Sequence, residues 1–164
     1  MNVAEELSKA LSEAVKAKGG SVVRVEGRRR RPASSGVAVA QDLIVTAHHT
    51  VDSDEEVEVG LADGTTAAAR LVGRDPTTDV ALLRLSKGGL LPVSFEEPET
   101  LDVGAIVLAL SRPGRSTRAS FGVVSASGES WRTPAGGRID RYLQSDVALH
   151  PGFSGSLLVD AAGR

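Results

Sequence analysis

The chain has 164 residues, enough for one sizeable hydrophobic core and too few for two ordinary domains. Nineteen basic and 21 acidic residues give a formal net charge of −2, without the basic excess of a domain built to bind nucleic acid. Cysteine is absent, which removes disulfides, thiolate zinc sites and a cysteine nucleophile, and aromatics at 3% are too few for base-stacking platforms.

The first segment, MNVAEELSKALSEAVKAKGG, has no basic start followed by an apolar stretch and so does not read as a secretory signal. On that ground the default compartment is the cytoplasm. Val3, Leu7, Leu11 and Val15 recur every four residues and set one apolar stripe on a helix, which Gly19 and Gly20 end by taking the left-handed conformation. Short Val-rich runs follow, and the pattern predicts strands near 22–26, 36–41, 43–46, 56–61, 66–72 and 80–85. Ala62-Asp63-Gly64 is a hairpin signal between two of them. Ser86–Asp102 lacks periodicity and holds Gly88, Gly89, Pro92 and Pro98, a linker between two β units. A second series of strands is expected near 106–110, 118–127, 141–145 and 156–159. Many short strands at regular spacing suggest a sandwich or barrel.

Two local features invite a functional reading. Arg28–Arg31 is either a site for phosphate or an acidic partner, or a solvated loop closed by Pro32; four arginines on one loop repel each other and favour the second. The three histidines are His48, His49 and His150. Adjacent His48 and His49 on an extended segment point to opposite faces, so they do not converge on one metal, and no metal or cofactor is expected.

A stronger constellation joins His49, Asp79 and Ser154. His49 follows the strand-like run Leu43–Ala47, Asp79 precedes the apolar run Val80–Leu85, and Ser154 sits in the glycine-flanked turn Pro151-Gly152-Phe153-Ser154-Gly155. A serine hydroxyl is a weak nucleophile that needs a base, and a histidine serves if a carboxylate fixes its tautomer. Glycines beside the serine let backbone N–H groups face a developing oxyanion. Spacing alone is only suggestive, since Gly-x-Ser-Gly also occurs in ordinary turns.

At these residues the chain resembles the trypsin-like serine proteases. Ile44-Val45-Thr46-Ala47-His48-His49-Thr50-Val51 is similar to their histidine motif. Asp75-Pro76-Thr77-Thr78-Asp79-Val80-Ala81-Leu82-Leu83-Arg84-Leu85 resembles the aspartate motif of the HtrA/Deg branch, and Leu143–Val159 its serine motif. The order His, Asp, Ser also fits, with separations of 30 and 75 residues. The resemblance implies an all-β, chymotrypsin-like fold of two six-stranded antiparallel barrels preceded by a short helix. It divides a single protease domain, 1–164, into a helix (1–20), a first barrel (21–85), a linker (86–102) and a second barrel (103–164). It makes His49 the general base, Asp79 its orienting partner and Ser154 the nucleophile, with Gly152 and Ser154 N–H groups as the oxyanion hole. His48 then occupies a small-residue position beside the base, and His150 is a loop residue. Ala148 and Leu149 line the pocket for the side chain before the scissile bond. Ala148, six residues before the nucleophile, stands where trypsin-like enzymes selective for Lys and Arg carry an acid.

The chain departs from the family pattern at Phe153, where Asn or Asp is usual, and at Ser156-Leu157, where Gly-Pro is usual. A β-carbon at Ser156 is expected to crowd the backbone and distort the oxyanion loop. The family continues past Asp160–Arg164 with two more strands, so the second barrel is expected to be incomplete and the chain to be a fragment. The PDZ module that the resemblance allows in a full-length protein is absent from these residues. Three functions follow: a serine endopeptidase of HtrA/Deg type acting on polypeptides in protein quality control, with homo-oligomers allowed; a catalytically impaired protease-like scaffold that binds peptides or partners; and a binding module using Arg28–Arg31. The complete triad favours the first.

Overall fold

The structure is a computed structural model in which residues 2–27, 32–52, 56–95 and 101–164 are described. The Arg28–Arg31 run and residues 96–100 of the linker lie outside the described residues.

Helix α1 spans Val3–Lys18. Asn2 starts it: its side chain accepts from Glu5 N at 3.0 Å, and the Glu5 carboxylate accepts from Asn2 N at 3.1 Å. This reciprocal pair satisfies two of the N–H groups that a helix start leaves without partners. Only the C-terminal half of the apolar stripe is used, for Val3 is 81% exposed while Leu11, Ala14 and Val15 pack on a shared cluster. Gly19 does not end the helix in the left-handed way expected; its φ is −59°. Its missing side chain matters for space instead, since a Cβ there would lie 3.0 Å from Thr117 Oγ1.

Six strands close the first barrel: β1 (Val22–Glu26), β2 (Ser34–Ala38), β3 (Leu43–Ala47), β4 (Glu56–Gly60), β5 (Thr66–Asp75) and β6 (Val80–Leu85). They run in the order β1-β2-β3-β6-β5-β4, every pair antiparallel. Alternate residues of β4 and β6 turn inward, which places Val57, Val59, Ala81, Leu83 and Leu85 in one core with Val23, Val25 and Ile44. A register shift between Leu71 and Gly73 bends β5, and the strand runs on to Asp75, past the expected end at 72.

The second unit is a four-stranded antiparallel sheet in the order β11-β8-β7-β12, made of β7 (Ile106–Ser111), β8 (Arg118–Gly128), β11 (Tyr142–Ser145) and β12 (Leu157–Asp160). Between β8 and β11 stands a small hairpin, β9 (Trp131–Arg132) with β10 (Arg138–Ile139), which the sequence pattern does not predict. The fold is therefore mostly β: one closed six-stranded barrel, one half-barrel and one N-terminal helix. Helix α1 bridges the units, because its cluster includes Val22 and Val37 of the first barrel and Leu108, Leu110, Leu157 and Val159 of the second. Burying this seam brings the end of β3 opposite the loop before β12.

Candidate active site

Thr46 and Ala47 end β3, and the chain then makes one turn of 3₁₀ helix over His48–Thr50, closed by Thr50 Oγ1 donating to Ala47 O at 2.8 Å. The two histidines therefore lie on a tight turn and not on the extended segment expected. The turn is tied to Asp79 by backbone and side chain together. His48 N–H donates to Asp79 O at 3.0 Å, and His49 N–H donates to Asp79 Oδ1 at 2.8 Å. Asp79 Oδ2 lies 2.6 Å from His49 Nδ1, and His49 Nε2 lies 3.2 Å from Ser154 Oγ.

Asp79 is the one described non-glycine residue with a positive φ, +59°. Aspartate tolerates this left-handed region better than most residues, and the position costs strain that its surroundings must hold. Asp75 supplies part of that hold. Its carboxylate accepts from Thr77 N, Thr77 Oγ1 and Thr78 Oγ1 at 2.9, 2.6 and 2.7 Å, which tightens the turn leading to Asp79. The hydrogen bonds from Thr77, then Thr78, hold the Asp75 carboxyl below the usual carboxylate range. From the second unit, Thr133 Oγ1 donates to Thr77 O at 2.6 Å, so the β9–β10 hairpin leans on the same turn.

Partial burial works against the charge of Asp79, but the backbone N–H and imidazole of His49, with His48 nearby, outweigh it and hold the carboxyl below its ordinary range. An ionised carboxylate can only accept, so His49 Nδ1 carries a proton, and in the neutral imidazole the Nε2 lone pair faces Ser154 Oγ. The arrangement can therefore take a proton from the Ser154 hydroxyl and stabilise the imidazolium that results.

Ser154 lies in a loop held by two backbone hydrogen bonds of its own. Phe153 N–H donates to His150 O, and Ser156 N–H donates to Phe153 O, both at 3.0 Å. Ser156 Oγ also donates to Phe153 O. Gly152 and Gly155 have φ of +91° and +77°. A Cβ at Gly155 would come within 2.1 Å of Ser35 O, so the crowded position is Gly155 and not Ser156. Leu157 is buried in the seam cluster. The N–H groups of Gly152 and Ser154 have no hydrogen-bond partner among the described residues. These two flank the N–H of Phe153, which is bonded to His150 O.

Phe153 is 4% exposed and packs with Val107, Ala109, Val124 and Val147. His150 meets its ring edge-on, with centroids 5.7 Å apart. Ala148 and Leu149 are exposed on the segment before the loop, while Val147 is buried. His48 Nδ1 is buried and has no hydrogen-bond partner among the described residues. Two residues at the site escape sequence reasoning. Ser35 and Arg112 are both buried; Ser35 is bonded to the loop at Gly152 O, and Arg112 is bonded through its N–H to Ser35. Ser35 lies in a run of small residues that reads as a turn, and Arg112 in Arg-Pro-Gly-Arg, which reads as a solvated one.

A family model described as a trypsin-like peptidase domain matches residues 34–164. A probable periplasmic serine protease do/HhoA-like of Haemophilus influenzae is 34% identical over 86% of this chain and 31% of its own length. A probable periplasmic serine endoprotease DegP-like of Pseudomonas putida is 38% identical over 84% of this chain and 29% of its own. The chain thus spans about 30% of these curated relatives. The crystal structure of Deg5 superposes with a TM-score of 0.82 at 28% identity, covering 99% of this chain and 83% of that one. The names of the relatives overturn the default to the cytoplasm, since they place those proteins in the periplasm. That default rested on the first segment not reading as a secretory signal, and a folded domain does not carry its address. The matched residues, the shared fold and the two relatives identify the chain as a member of the trypsin-like peptidase domain family, of HtrA/Deg type.

Proposed function

We propose that this chain is the catalytic part of a serine endopeptidase that hydrolyses peptide bonds through an acyl-enzyme. The observation that carries the reading is His49 held between Asp79 at 2.6 Å and Ser154 at 3.2 Å. His49 Nε2 takes the hydroxyl proton as Ser154 Oγ attacks the substrate carbonyl carbon. The carbonyl oxygen becomes an oxyanion, for which the N–H groups of Gly152 and Ser154 are the donors. Collapse breaks the C–N bond, His49 gives its proton to the leaving amine, and the acyl group stays on Ser154. Water then repeats the sequence and frees the carboxylic acid. Asp79 stays ionised and holds the imidazole in place.

Leu149, 71% exposed beside Ala148, offers apolar surface and no carboxylate to the side chain before the scissile bond. A small or aliphatic side chain fits there, because a Lys or Arg would lose water without gaining a partner. From the names of the relatives we carry over polypeptide substrates and a periplasmic setting. The scaffold reading loses its motive, because Phe153, Ser156 and Leu157 are accommodated by packing or hydrogen bonds at no cost to the N–H groups of Gly152 and Ser154.

The test is hydrolysis of an unfolded protein and of peptide esters by the wild-type chain and by Ser154→Ala. Turnover in the wild type that falls by several orders of magnitude in the variant supports the reading. Equal turnover in both would overturn it.

A further inference from the structure

We propose that Ser35, a fully buried residue of the first barrel, is a positioning residue that sets the oxyanion loop of the second. The inference rests on the endopeptidase reading above.

Ser35 uses its hydroxyl and its backbone N–H on the junction between the two units, and its carbonyl within the first barrel. Its hydroxyl accepts from Arg112 N–H at 2.8 Å and lies 2.8 Å from Gly152 O. An N–H can only donate, so the hydroxyl proton is left to go to Gly152 O. Its backbone N–H donates to Ser154 O at 3.0 Å. Its carbonyl accepts from Thr46 Oγ1 at 2.7 Å, three residues before His49 in sequence. Gly155 passes so close to that carbonyl that a β-carbon could not fit.

In a trans peptide the C=O and the next N–H point in opposite directions, so fixing a carbonyl fixes the N–H that follows. Three consecutive carbonyls in the loop are fixed. Ser35 Oγ holds Gly152 O, Ser156 holds Phe153 O, and Ser35 N–H holds Ser154 O. The N–H of Ser154 is in the middle peptide, and Ser35 clamps the peptides on both sides of it. Phe153 pins the loop to the second core; Ser35 pins it to the first barrel, where His49 stands. The reacting oxygen, its base and the oxyanion donors thereby share one reference frame although they come from two units.

Arg112 anchors the other end of this clasp. It is 5% exposed, and its guanidinium donates to Val22 O, Arg115 O, Gly19 O and Thr117 Oγ1 at 2.6–2.9 Å. The main chain that presents its N–H to Ser35 is thus fixed from α1's end and from β1. Ser34 provides the contrast. It is the neighbouring buried serine of β2, and its hydroxyl bonds Val25 O at 3.3 Å inside the first barrel.

The experiment compares Ser35→Ala with Ser34→Ala in the same chain. Amide hydrogen exchange is followed at Phe153 and Ser156, whose N–H groups are bonded within the loop, and kcat and KM are measured with a peptide ester. We expect Ser35→Ala to speed exchange in the loop and to lower kcat by about 10²-fold with KM within about threefold, the size of effect that slight misplacement of reacting groups produces. Ser34→Ala should change neither by more than about threefold. If Ser35→Ala melts below the assay temperature, Ser35→Cys takes its place, since it keeps the volume and weakens the donor. Unchanged exchange and kcat in the Ser35 variant, or equal losses in both, would overturn the inference. A wild type with no turnover sinks the endopeptidase reading instead, and the exchange measurement still decides the role of Ser35.

Discussion

Replacing Phe153 by Ala tests how the loop that carries Ser154 is held. The ring is 4% exposed among Val107, Ala109, Val124 and Val147, with His150 against one edge. Truncating a buried Phe costs about 3–5 kcal/mol, the transfer term of the lost ring plus the cavity left behind. A domain of this size loses about 2–4 °C in Tm per kcal/mol, so the melting temperature should fall by about 6–20 °C. The loop should loosen as well, because the hydrogen bonds at Phe153 N and Phe153 O remain but their anchor is gone. Phe153→Leu keeps most of the volume and should cost less than about 2 kcal/mol. The assay is urea denaturation of the three proteins, with turnover measured in the same buffers. A Phe153→Ala protein within about 1 kcal/mol of wild type, with unchanged turnover, would show that the ring neither fills the core nor fixes the loop.

Three further expectations follow from particular groups. Burial opposes the charge of Asp160, but the N–H groups of Arg164 and Ala162 and the Arg164 guanidinium prevail and keep its carboxyl below the usual carboxylate range. Because the folded value is the lower one, this stabilisation is complete above the unfolded carboxylate pKa of about 3.9 and is lost as pH falls through the folded value, so Asp160→Asn should flatten the acid limb of stability against pH; an identical acid limb in both proteins would contradict the cause assigned. Gly155→Ala should abolish turnover and lower stability, since its φ is +77° and the new β-carbon meets Ser35 O; a variant of wild-type activity would mean the loop lies elsewhere. A peptide-library profile should favour small or aliphatic side chains before the cleaved bond, and a profile dominated by Arg would refute the role given to Ala148 and Leu149.

What the sequence discloses follows from what repeats in it. Strands β1 and β6 have the bounds that alternation predicts, because every second residue of each is apolar and faces one core. His49, Asp79 and Ser154 stand out because their flanking motifs are long and ordered. Strand β2 begins two residues earlier than expected, at Ser34 and Ser35, whose burial is bought by hydrogen bonds that no hydrophobic pattern records. Strands β9 and β10 have two residues each, too few for any period to appear. Arg112 looks like a turn cation next to Pro113 and Gly114, and only the converging carbonyls of Gly19, Val22 and Arg115 explain its burial. Contacts of this kind join residues 77 to 117 apart in sequence, as Ser35 does to Arg112 and Gly152, and local pattern carries no trace of them.

The central claim is that Ser154 is a nucleophile activated by His49 and Asp79. A fluorophosphonate reacts with an activated serine and leaves a covalent adduct whose position mass spectrometry can read. The wild-type chain should carry one adduct, on Ser154. His49→Ala and Asp79→Asn should slow labelling by about 10³-fold or more, the second because the imidazole loses the carboxylate that fixes its tautomer. A wild type that is not labelled, or one labelled at Ser154 at the same rate when His49 is replaced, would contradict the account.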